Sequence, residues 1–179
     1  YLLRKRNGSI FMTMTKETIL TQLLHYYEAF YDIYPYEESS SPIVARCEYI
    51  EHSGQYLFSK KTELWSIEQE EFLYLLKIPH LTLPIFEQWR EQLCTDGLQR
   101  MHIGPGHLLS RITVLFVCDI CDTEARQALQ KCRISKSFHF SLHGWMHFQT
   151  VVISTIDRKI TANRTGNHTA KILKKMLSL

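Results

Sequence analysis

The stretch Arg111-Ile-Thr-Val-Leu-Phe-Val-Cys-Asp119 is apolar nearly throughout and rich in β-branched residues. This composition is typical of a strand at the centre of a sheet, with both faces covered. A Gly104-Pro-Gly106 turn precedes the stretch, and Asp122 or Thr123 is expected to begin a helix that ends near Arg133. The stretch therefore predicts a buried strand followed directly by a helix.

Upstream of this strand, the sequence predicts two helices separated by three strands. The segment from Thr15 to about Tyr31 has the i, i+3, i+4 spacing of an amphipathic helix, and Thr82 with Pro84 is expected to begin the second helix. The strands between them are expected at 43–51, 55–61 and 71–78. The first two would face each other across a His52-Ser-Gly54 turn.

Downstream, the sequence predicts a hairpin with strands at about 136–142 and 146–154. A turn at 156–159 and a final helix at about 167–177 are expected to follow. A three-residue loop at the hairpin tip, His143-Gly-Trp145, would pair Leu142 with Met146 and Phe140 with Phe148. This register would separate an apolar face from a face of hydroxyls and imidazoles.

The predicted order of elements is α-β-β-β-α-β-α-β-β-α, which indicates an α+β fold with a mixed β-sheet flanked by helices. The chain of 179 residues, 45% hydrophobic and 22% charged, suits one globular domain. We expect a single domain over 15–179. Residues 1–14 are expected to be a flexible N-terminal extension or one added in cloning.

Two features of the composition predict a cytoplasmic protein. The five cysteines match no secreted disulfide framework, and no secretory signal is recognised at the N-terminus. No apolar run approaches the ~20 residues that a membrane-spanning helix needs. No membrane partner is therefore expected.

The charges divide the chain into an acidic part and a basic part. From Lys131 onward, nine Lys or Arg stand against a single acid, Asp157, whereas acids outnumber bases before that point. Such an asymmetry indicates a surface that meets an anionic partner.

The candidate binding residues are bases, imidazoles and one aromatic ring, concentrated around the predicted hairpin. Lys and Arg would contact phosphates, and Trp145 would stack on a base or ring. The predicted function is therefore non-catalytic binding of an anionic ligand, either nucleic acid or a phosphorylated molecule, with no cofactor. The predicted ligand-binding residues are Lys60, Lys61, Arg133, Lys136, His139, His143, Trp145, His147, Asn163 and Arg164.

A hydrolase is the first alternative, although no catalytic motif is recognised and enzymatic activity stays open. His139 or His147 could act as a general base, or Glu63 with Glu71 could hold a metal ion. The order α-β-β-β-α-β is that of the restriction-endonuclease-like core. The Asp/Glu-x-Lys motif of that core is absent from the predicted third strand, so the comparison rests on the order of elements alone.

A scaffold or homo-oligomer is the second alternative, in which the acidic part of one copy would meet the basic end of another.

The spacing Cys118-Asp-Ile-Cys121 raises the question of a redox dithiol or a zinc site. Asp119 and Asp122 would oppose thiolate formation, and no second Cys-x-x-Cys supplies further zinc ligands. We expect thiols without a redox role and no metal site.

Three segments resemble a family of bacterial single-domain proteins of unknown function. They are Phe58-Ser-Lys-Lys-x-x-Leu-Trp65, Ser135-Lys-Ser-Phe-x-Phe-Ser-Leu-His-Gly-Trp145 and Thr161-Ala-Asn-Arg-Thr-Gly166. The resemblance covers most of the chain after the first helix and implies one intracellular domain without implying any chemistry. After Trp145, the Met-His-Phe148 sequence departs from the acids and bases usual in the family.

Overall fold

The structure, a computed structural model, describes residues 15–38, 40–55 and 64–177. In this part of the chain the helices are α1 (Lys16–Glu28), α2 (Leu83–Arg100), α3 (Thr123–Lys131) and α4 (Asn167–Leu177). The strands are β1 (Asp32–Pro35), β2 (Ile43–Gln55), β3 (Leu64–Leu81), β4 (Leu109–Cys121), β5 (Ser135–Ser137), β6 (Trp145–Ser154) and β7 (Lys159–Ala162). The predicted single α+β domain is confirmed, and its order of elements is nearly the one expected.

The strands form one mixed sheet in the order β1-β2-β3-β4-β6, and β5 and β7 both pair with the outer edge of β6. Strands β1, β2 and β3 are antiparallel neighbours, whereas β3, β4 and β6 run parallel. Strand β4 therefore lies between two parallel neighbours, and its side chains from Ile112 to Cys118 are buried. The prediction of a central strand is confirmed.

Helices cover the two faces of the sheet. Helices α2 and α3 pack on one face, where Phe86 and Leu129 join a core of strand residues. Helices α1 and α4 pack on the other face, where Leu23 and Leu173 meet Leu115. These faces are named the α2/α3 face and the α1/α4 face below.

The helix starts agree with the sequence predictions. Thr15 is the N-cap of α1, where its hydroxyl accepts a hydrogen bond from the Thr18 N–H, and Thr82 and Asp122 are the N-caps of α2 and α3. Each cap residue has extended backbone and so separates the helix from the preceding strand or loop.

Of the three strands expected between the first two helices, 43–51 lies within β2 and 71–78 lies within β3, so these two are confirmed. His52, Ser53 and Gly54 lie inside β2, paired with β3, so the predicted turn at these residues is wrong. Most of the predicted 55–61 strand lies outside the described residues. Strand β1 was not predicted, because its Pro35 is typical of a loop; as an edge strand, β1 tolerates the proline.

The predicted hairpin between 136–142 and 146–154 is also wrong in length and register. Strand β5 is short and pairs Ser135 with His147 and Ser137 with Trp145. Residues His139, Phe140 and Ser141 adopt positive φ angles of 48°, 54° and 69°, which end the strand. The remainder of β6 pairs instead with β7, which begins at the end of the predicted 156–159 turn.

Candidate functional site

A row of five polar or aromatic side chains crosses the α1/α4 face, one from each of five adjacent strands. The backbone register aligns Tyr49 with Glu71, Glu71 with Arg111, Arg111 with His147, and His147 with Ser135. Directly paired residues point to the same face of a sheet, so these side chains share the α1/α4 face. The row marks the polar end of a face that is otherwise apolar.

A cavity of about 610 Å³ opens over this row, between the C-terminal end of α1 and the N-terminal half of α4. Its volume lies in the usual range for small-molecule sites. We call it the tyrosine cleft. Its lining residues are Tyr26, Tyr27, Phe30, Tyr31, Tyr49, Glu71, Arg111, Gln149, Thr165, His168, Thr169, Ile172 and Leu173.

The aromatic wall of the cleft is a connected set of rings. Tyr27 and Tyr31 meet edge to face with centroids 5.2 Å apart, and the Tyr31 and Tyr49 centroids are 5.7 Å apart. Tyr26 contacts both Tyr27 and Phe30. Such contacts restrain the rings and leave a firm apolar surface beside the polar floor.

Glu71 is held in place by two hydroxyl donors. The Tyr31 hydroxyl lies 3.0 Å from Glu71 Oε2, and the Thr113 hydroxyl lies 2.7 Å from Oε1. Burial and the negative charge of Glu71 raise the pKa of Tyr31, and the same two causes raise the pKa of Cys47 to about 12. The phenol therefore remains a donor at neutral pH.

Gln149 forms the remaining part of the polar floor. Its side-chain oxygen accepts a hydrogen bond from Thr169 at 3.1 Å and lies 3.4 Å from the Thr113 hydroxyl, whose proton is directed to Glu71. These contacts link α4 to the strands beneath it, so the α4 wall and the floor are connected by side chains as well as by the backbone.

Arg111 lies on the floor without a carboxylate partner. Its guanidinium donates to Gln69 Oε1 at 3.3 Å, and none of the ion pairs in the described part of the chain includes it. The side chain is half-buried. A permanently charged group in this position is available to an anion entering the cleft.

The predicted binding residues are divided between different parts of the structure. Lys60 and Lys61, and Glu63 of the alternative metal site, lie outside the described residues. Trp145 and His147 lie on the α1/α4 face, whereas Lys136 pairs with Met146, which is buried on the α2/α3 face. As binding residues, they stay predictions.

The other predicted residues near the hairpin have specific surroundings. The Arg133 guanidinium donates to the backbone oxygens of Gln130 and Cys132 at the end of α3. The rings of His139 and His143 are stacked with centroids 4.8 Å apart. Arg164 is exposed.

Asn163 is buried, and its side chain is used for structure. Its amide group donates to the backbone oxygens of Cys132 and Phe148, and its oxygen accepts from the N–H groups of Thr150 and Gly166. The side chain thereby closes the gap between β5 and β7 along β6. No polar atom of this amide is left for a ligand.

A second polar cluster, the Glu70 network, lies on the α2/α3 face. The buried Glu70 carboxylate accepts from Ser110 Oγ at 2.6 Å and from the His102 N–H at 3.1 Å. The imidazole of His107 bridges Ser110 Oγ and the backbone oxygen of His143, both at 2.6 Å. A carbonyl cannot donate, so His107 Nδ1 carries a proton.

Two further contacts complete the Glu70 network. Ser110 Oγ lies between His107 Nε2 and Glu70 Oε1, and His102 Nδ1 lies 2.9 Å from Glu70 Oε2. The network joins the α2–β4 loop to the loop after β5.

The thiols of Cys118 and Cys121 interact with each other and form no disulfide. A hydrogen bond with Cys121, then burial, raises the pKa of Cys118, and the same hydrogen bond lowers the pKa of Cys121. Asp119 between them is engaged by Lys16 and Thr155. The charge of Asp119 contributes to the raised pKa of Cys118, and the charge of Asp122 opposes the lowering of the pKa of Cys121, which are the directions expected from the sequence.

Arg111 and most of the tyrosine wall were not predicted from the sequence. A signal was present: Glu71 and Arg111 are charged residues at the ends of apolar strand segments, Tyr26 and Tyr27 lie in the last turn of α1, and Tyr31 follows shortly after it. Only the parallel pairing of β3 with β4 brings these signals together.

No group of three or more His, Cys, Asp or Glu side chains in the described part could hold a metal ion. Within the same residues, no helix has the length and apolar character needed to cross a membrane. A family model described as a domain of unknown function (DUF8052) matches residues 15–175. No curated protein and no solved structure matches the chain.

Proposed function

The chain belongs to the family of unknown function DUF8052, and for this member we propose non-catalytic binding of a small anionic ligand that carries a flat apolar ring. The ligand would occupy the tyrosine cleft. The main support for this proposal is that the guanidinium of Arg111 lies on the cleft floor and has no carboxylate partner in the described part of the chain.

The anionic group of the ligand would contact Arg111. A guanidinium presents several N–H donors in one plane and can bind a phosphate or carboxylate through two of them. One of its donors is used by Gln69, so others remain for a ligand. The first-turn amides of α4, which borders the cleft, add a partial positive charge on the same side.

The ring of the ligand would pack on the tyrosine wall. Five aromatic residues line the cleft, and their mutual contacts hold them at fixed angles. Stacking or edge contacts with such rings favour a flat ligand and do not depend on its detailed substitution. A ring joined to a phosphate or carboxylate therefore fits the cleft better than either group alone.

This proposal keeps the anionic ligand predicted from the sequence and favours a phosphorylated small molecule over nucleic acid. The cavity of about 610 Å³ suits a single small ligand, whereas a polymer would need a groove that continues across the surface. Trp145 and His147 lie on the same face as Arg111 and would border the entrance. They remain proposed contacts.

A thermal-shift series tests the proposal, with adenosine monophosphate, adenosine and inorganic phosphate as probes. Ligand that binds the folded state raises the unfolding temperature by an amount set by its concentration relative to Kd. We expect adenosine monophosphate to stabilise the protein more than adenosine or phosphate does at equal concentration. Arg111→Gln should remove the advantage of the monophosphate over adenosine.

Lys174→Gln is the matched control, because it removes one positive charge from the exposed side of α4. It should leave the difference between monophosphate and adenosine unchanged. If both charge changes reduce the difference equally, general electrostatic attraction rather than the cleft would explain binding. If neither reduces it, Arg111 is not the anion contact.

A hydrolase remains the second candidate, and one observation favours it. His147 lies next to Arg111 in the cross-strand row, and its Nδ1 is within 3.1 Å of the Ser135 hydroxyl. Following adenosine monophosphate by phosphorus NMR would detect release of phosphate. Turnover that disappears in His147→Gln would establish the hydrolase and overturn the non-catalytic proposal. The scaffold or homo-oligomer hypothesis stays a prediction, which light scattering against ionic strength would test.

A further inference from the structure

Five of the nine large apolar side chains that are strongly exposed in the described residues gather at one end of the sheet. Phe140 is 95% exposed, Leu142 73% and Trp145 45%. We name this surface the apolar tip; its members are Ile103, Leu108, Phe140, Leu142 and Trp145. Exposed apolar side chains that cluster, rather than scatter singly, mark a surface that meets a partner.

Two loops build the apolar tip, and they are tied to each other. The Trp145 N–H donates to the Leu108 backbone oxygen at 3.0 Å, and His107 Nδ1 lies 2.6 Å from the His143 backbone oxygen. A Cβ at Gly144 would lie 2.3 Å from the Leu108 oxygen, so the close approach of the loops requires glycine. The tip is therefore one surface.

The backbone at the apex is held in an unusual conformation. His139, Phe140 and Ser141 all have φ between 48° and 69°, a region that residues with a Cβ seldom adopt. Hydrogen bonds within the loop hold it, from Phe138 N–H to Gly144 O and from His143 N–H to Phe138 O. Residues with such backbone angles persist where surrounding contacts hold them. In this loop the conformation leaves the Phe140 side chain exposed to solvent.

The two loops that build the tip, residues 101–108 and 138–145, contain no acidic residue. Residues 97–118 and 123–156 together contain one acid, Glu124 on the first turn of α3, away from the loops. Lys136 is exposed on β5 opposite Met146, Arg133 is exposed two residues before that strand, and His139 and His143 lie within the tip. The apolar side chains are therefore accompanied by positive charge.

We propose that the apolar tip docks on the surface of a lipid bilayer with anionic headgroups. Phe140, Leu142 and Trp145 would enter the boundary between headgroups and acyl chains, while Lys136 and Arg133 would meet lipid phosphates. Aliphatic side chains such as Leu142 and Leu108 cannot stack on bases, which disfavours a nucleic-acid partner.

This docking mode is compatible with the absence of a long apolar segment. The expectation that a membrane is no partner rests on that absence, which bears on spanning a bilayer and not on contact with its surface. The proposal is also independent of the ligand proposed for the tyrosine cleft, because the two use different residues apart from Trp145 at the border.

Co-sedimentation with vesicles tests the proposal, using the full chain and either phosphatidylcholine alone or phosphatidylcholine with phosphatidylglycerol. Phe140→Ser combined with Leu142→Ser should lower the bound fraction on anionic vesicles about tenfold, since apolar insertion and charge act together. Ile156→Ser is the matched control, because Ile156 is exposed in the turn beyond the opposite end of β6 and should leave binding unchanged.

The charge contribution has its own readout. Lys136→Glu should weaken binding to anionic vesicles, and added salt should weaken binding of the unsubstituted protein. Each substituted side chain is exposed, so circular dichroism should show unchanged folding. Absence of sedimentation at low salt, or equal binding by the double variant, overturns the proposal. Binding of a single-stranded oligonucleotide that depends on Phe140, without vesicle binding, would identify nucleic acid as the partner instead.

Discussion

Glu71 and Arg111 are register partners on adjacent parallel strands, yet no ion pair joins them. Two hydroxyl groups, from Tyr31 and Thr113, satisfy Glu71 instead, and Arg111 donates to Gln69. A cation and a carboxylate that lie in one cleft without a direct ion pair leave N–H donors of the guanidinium available to a ligand. This separation is the basis of the proposed function.

Asn163→Ala should strongly destabilise the protein. The substitution removes the acceptor of the buried Thr150 and Gly166 N–H groups, and the Cys132 and Phe148 oxygens each keep one other side-chain donor. Each unsatisfied buried group costs about 1–3 kcal/mol, so a loss of more than about 2 kcal/mol is expected. Urea unfolding measures it, with the exposed neighbour variant Arg164→Ala as control; equal effects of the two variants would contradict the structural role of Asn163.

Glu70→Ala should be costly because the Ser110 hydroxyl and the His102 N–H lose their acceptor inside the protein. We expect the free energy of unfolding to fall by about 2–4 kcal/mol, because hydrogen bonds are lost and a cavity is left. Glu87→Ala on the exposed side of α2 is the control and should change stability little. A stability near that of the unsubstituted protein would mean that the Glu70 network is absent.

Gly97→Ala should destabilise the contact between α2 and the sheet. A Cβ at this position would lie 2.7 Å from two atoms of the Ile112 side chain, so either the helix or Ile112 must move. Overpacking of this kind costs about 1–3 kcal/mol. Adding Ile112→Val, which removes one of those atoms, should recover part of the loss; an additive loss in the double variant would exclude this contact as the cause.

Asp96 should contribute a pH-dependent part of the stability. Burial opposes its ionisation, but hydrogen bonds from Arg100 and Tyr74 outweigh burial and lower its pKa below the ordinary value of 3.8. A carboxyl with a lowered pKa stabilises the folded state above the ordinary value, and this stabilisation is lost as the pH falls through the folded-state pKa. Asp96→Asn should therefore show a shallower fall in unfolding temperature below pH 4.

The control for this pH profile is Glu91→Gln, on the exposed surface of α2. It should retain the acid-dependent loss seen in the unsubstituted protein. An identical profile for Asp96→Asn and the unsubstituted protein would show that the Arg100 and Tyr74 contacts do not lower the pKa of Asp96.

The parts of the fold that follow local rules could be predicted from the sequence. The starts of three helices follow from the capping residues Thr15, Thr82 and Asp122, and the apolar run after Arg111 identified the central strand. Both signals depend on neighbouring residues, whose hydrogen bonds and burial are set within a few positions of the chain.

The hairpin register could not be predicted, because its pattern suggested the wrong burial. Phe138, Phe140 and Leu142 alternate with polar residues as in a half-buried strand, yet Phe140 and Leu142 are exposed. The true neighbour of the second half of β6 is β7, which follows a turn and carries little strand signal of its own. The register of β6 and the burial of its neighbours therefore depend on pairing between distant parts of the chain, which the local alternation of polar and apolar residues does not show.

The sequence predicted a site that binds an anion, but it indicated a different part of the chain from the proposed cleft. The charge asymmetry indicated residues after Lys131. The proposed anion contact is instead Arg111, one of several bases in the acidic part of the chain. Its importance depends on strands β3, β4 and β6 being adjacent, and sequence spacing does not reveal that adjacency.

The most direct test is an NMR titration of isotope-labelled protein with adenosine monophosphate. We expect the largest shifts at the Arg111 guanidinium and at Tyr31 and His168 around the tyrosine cleft, with small shifts at Lys136 and His139. Shifts concentrated at Lys136 and His139, or no shift at Arg111 at saturating ligand, would contradict the assignment of the cleft as the binding site.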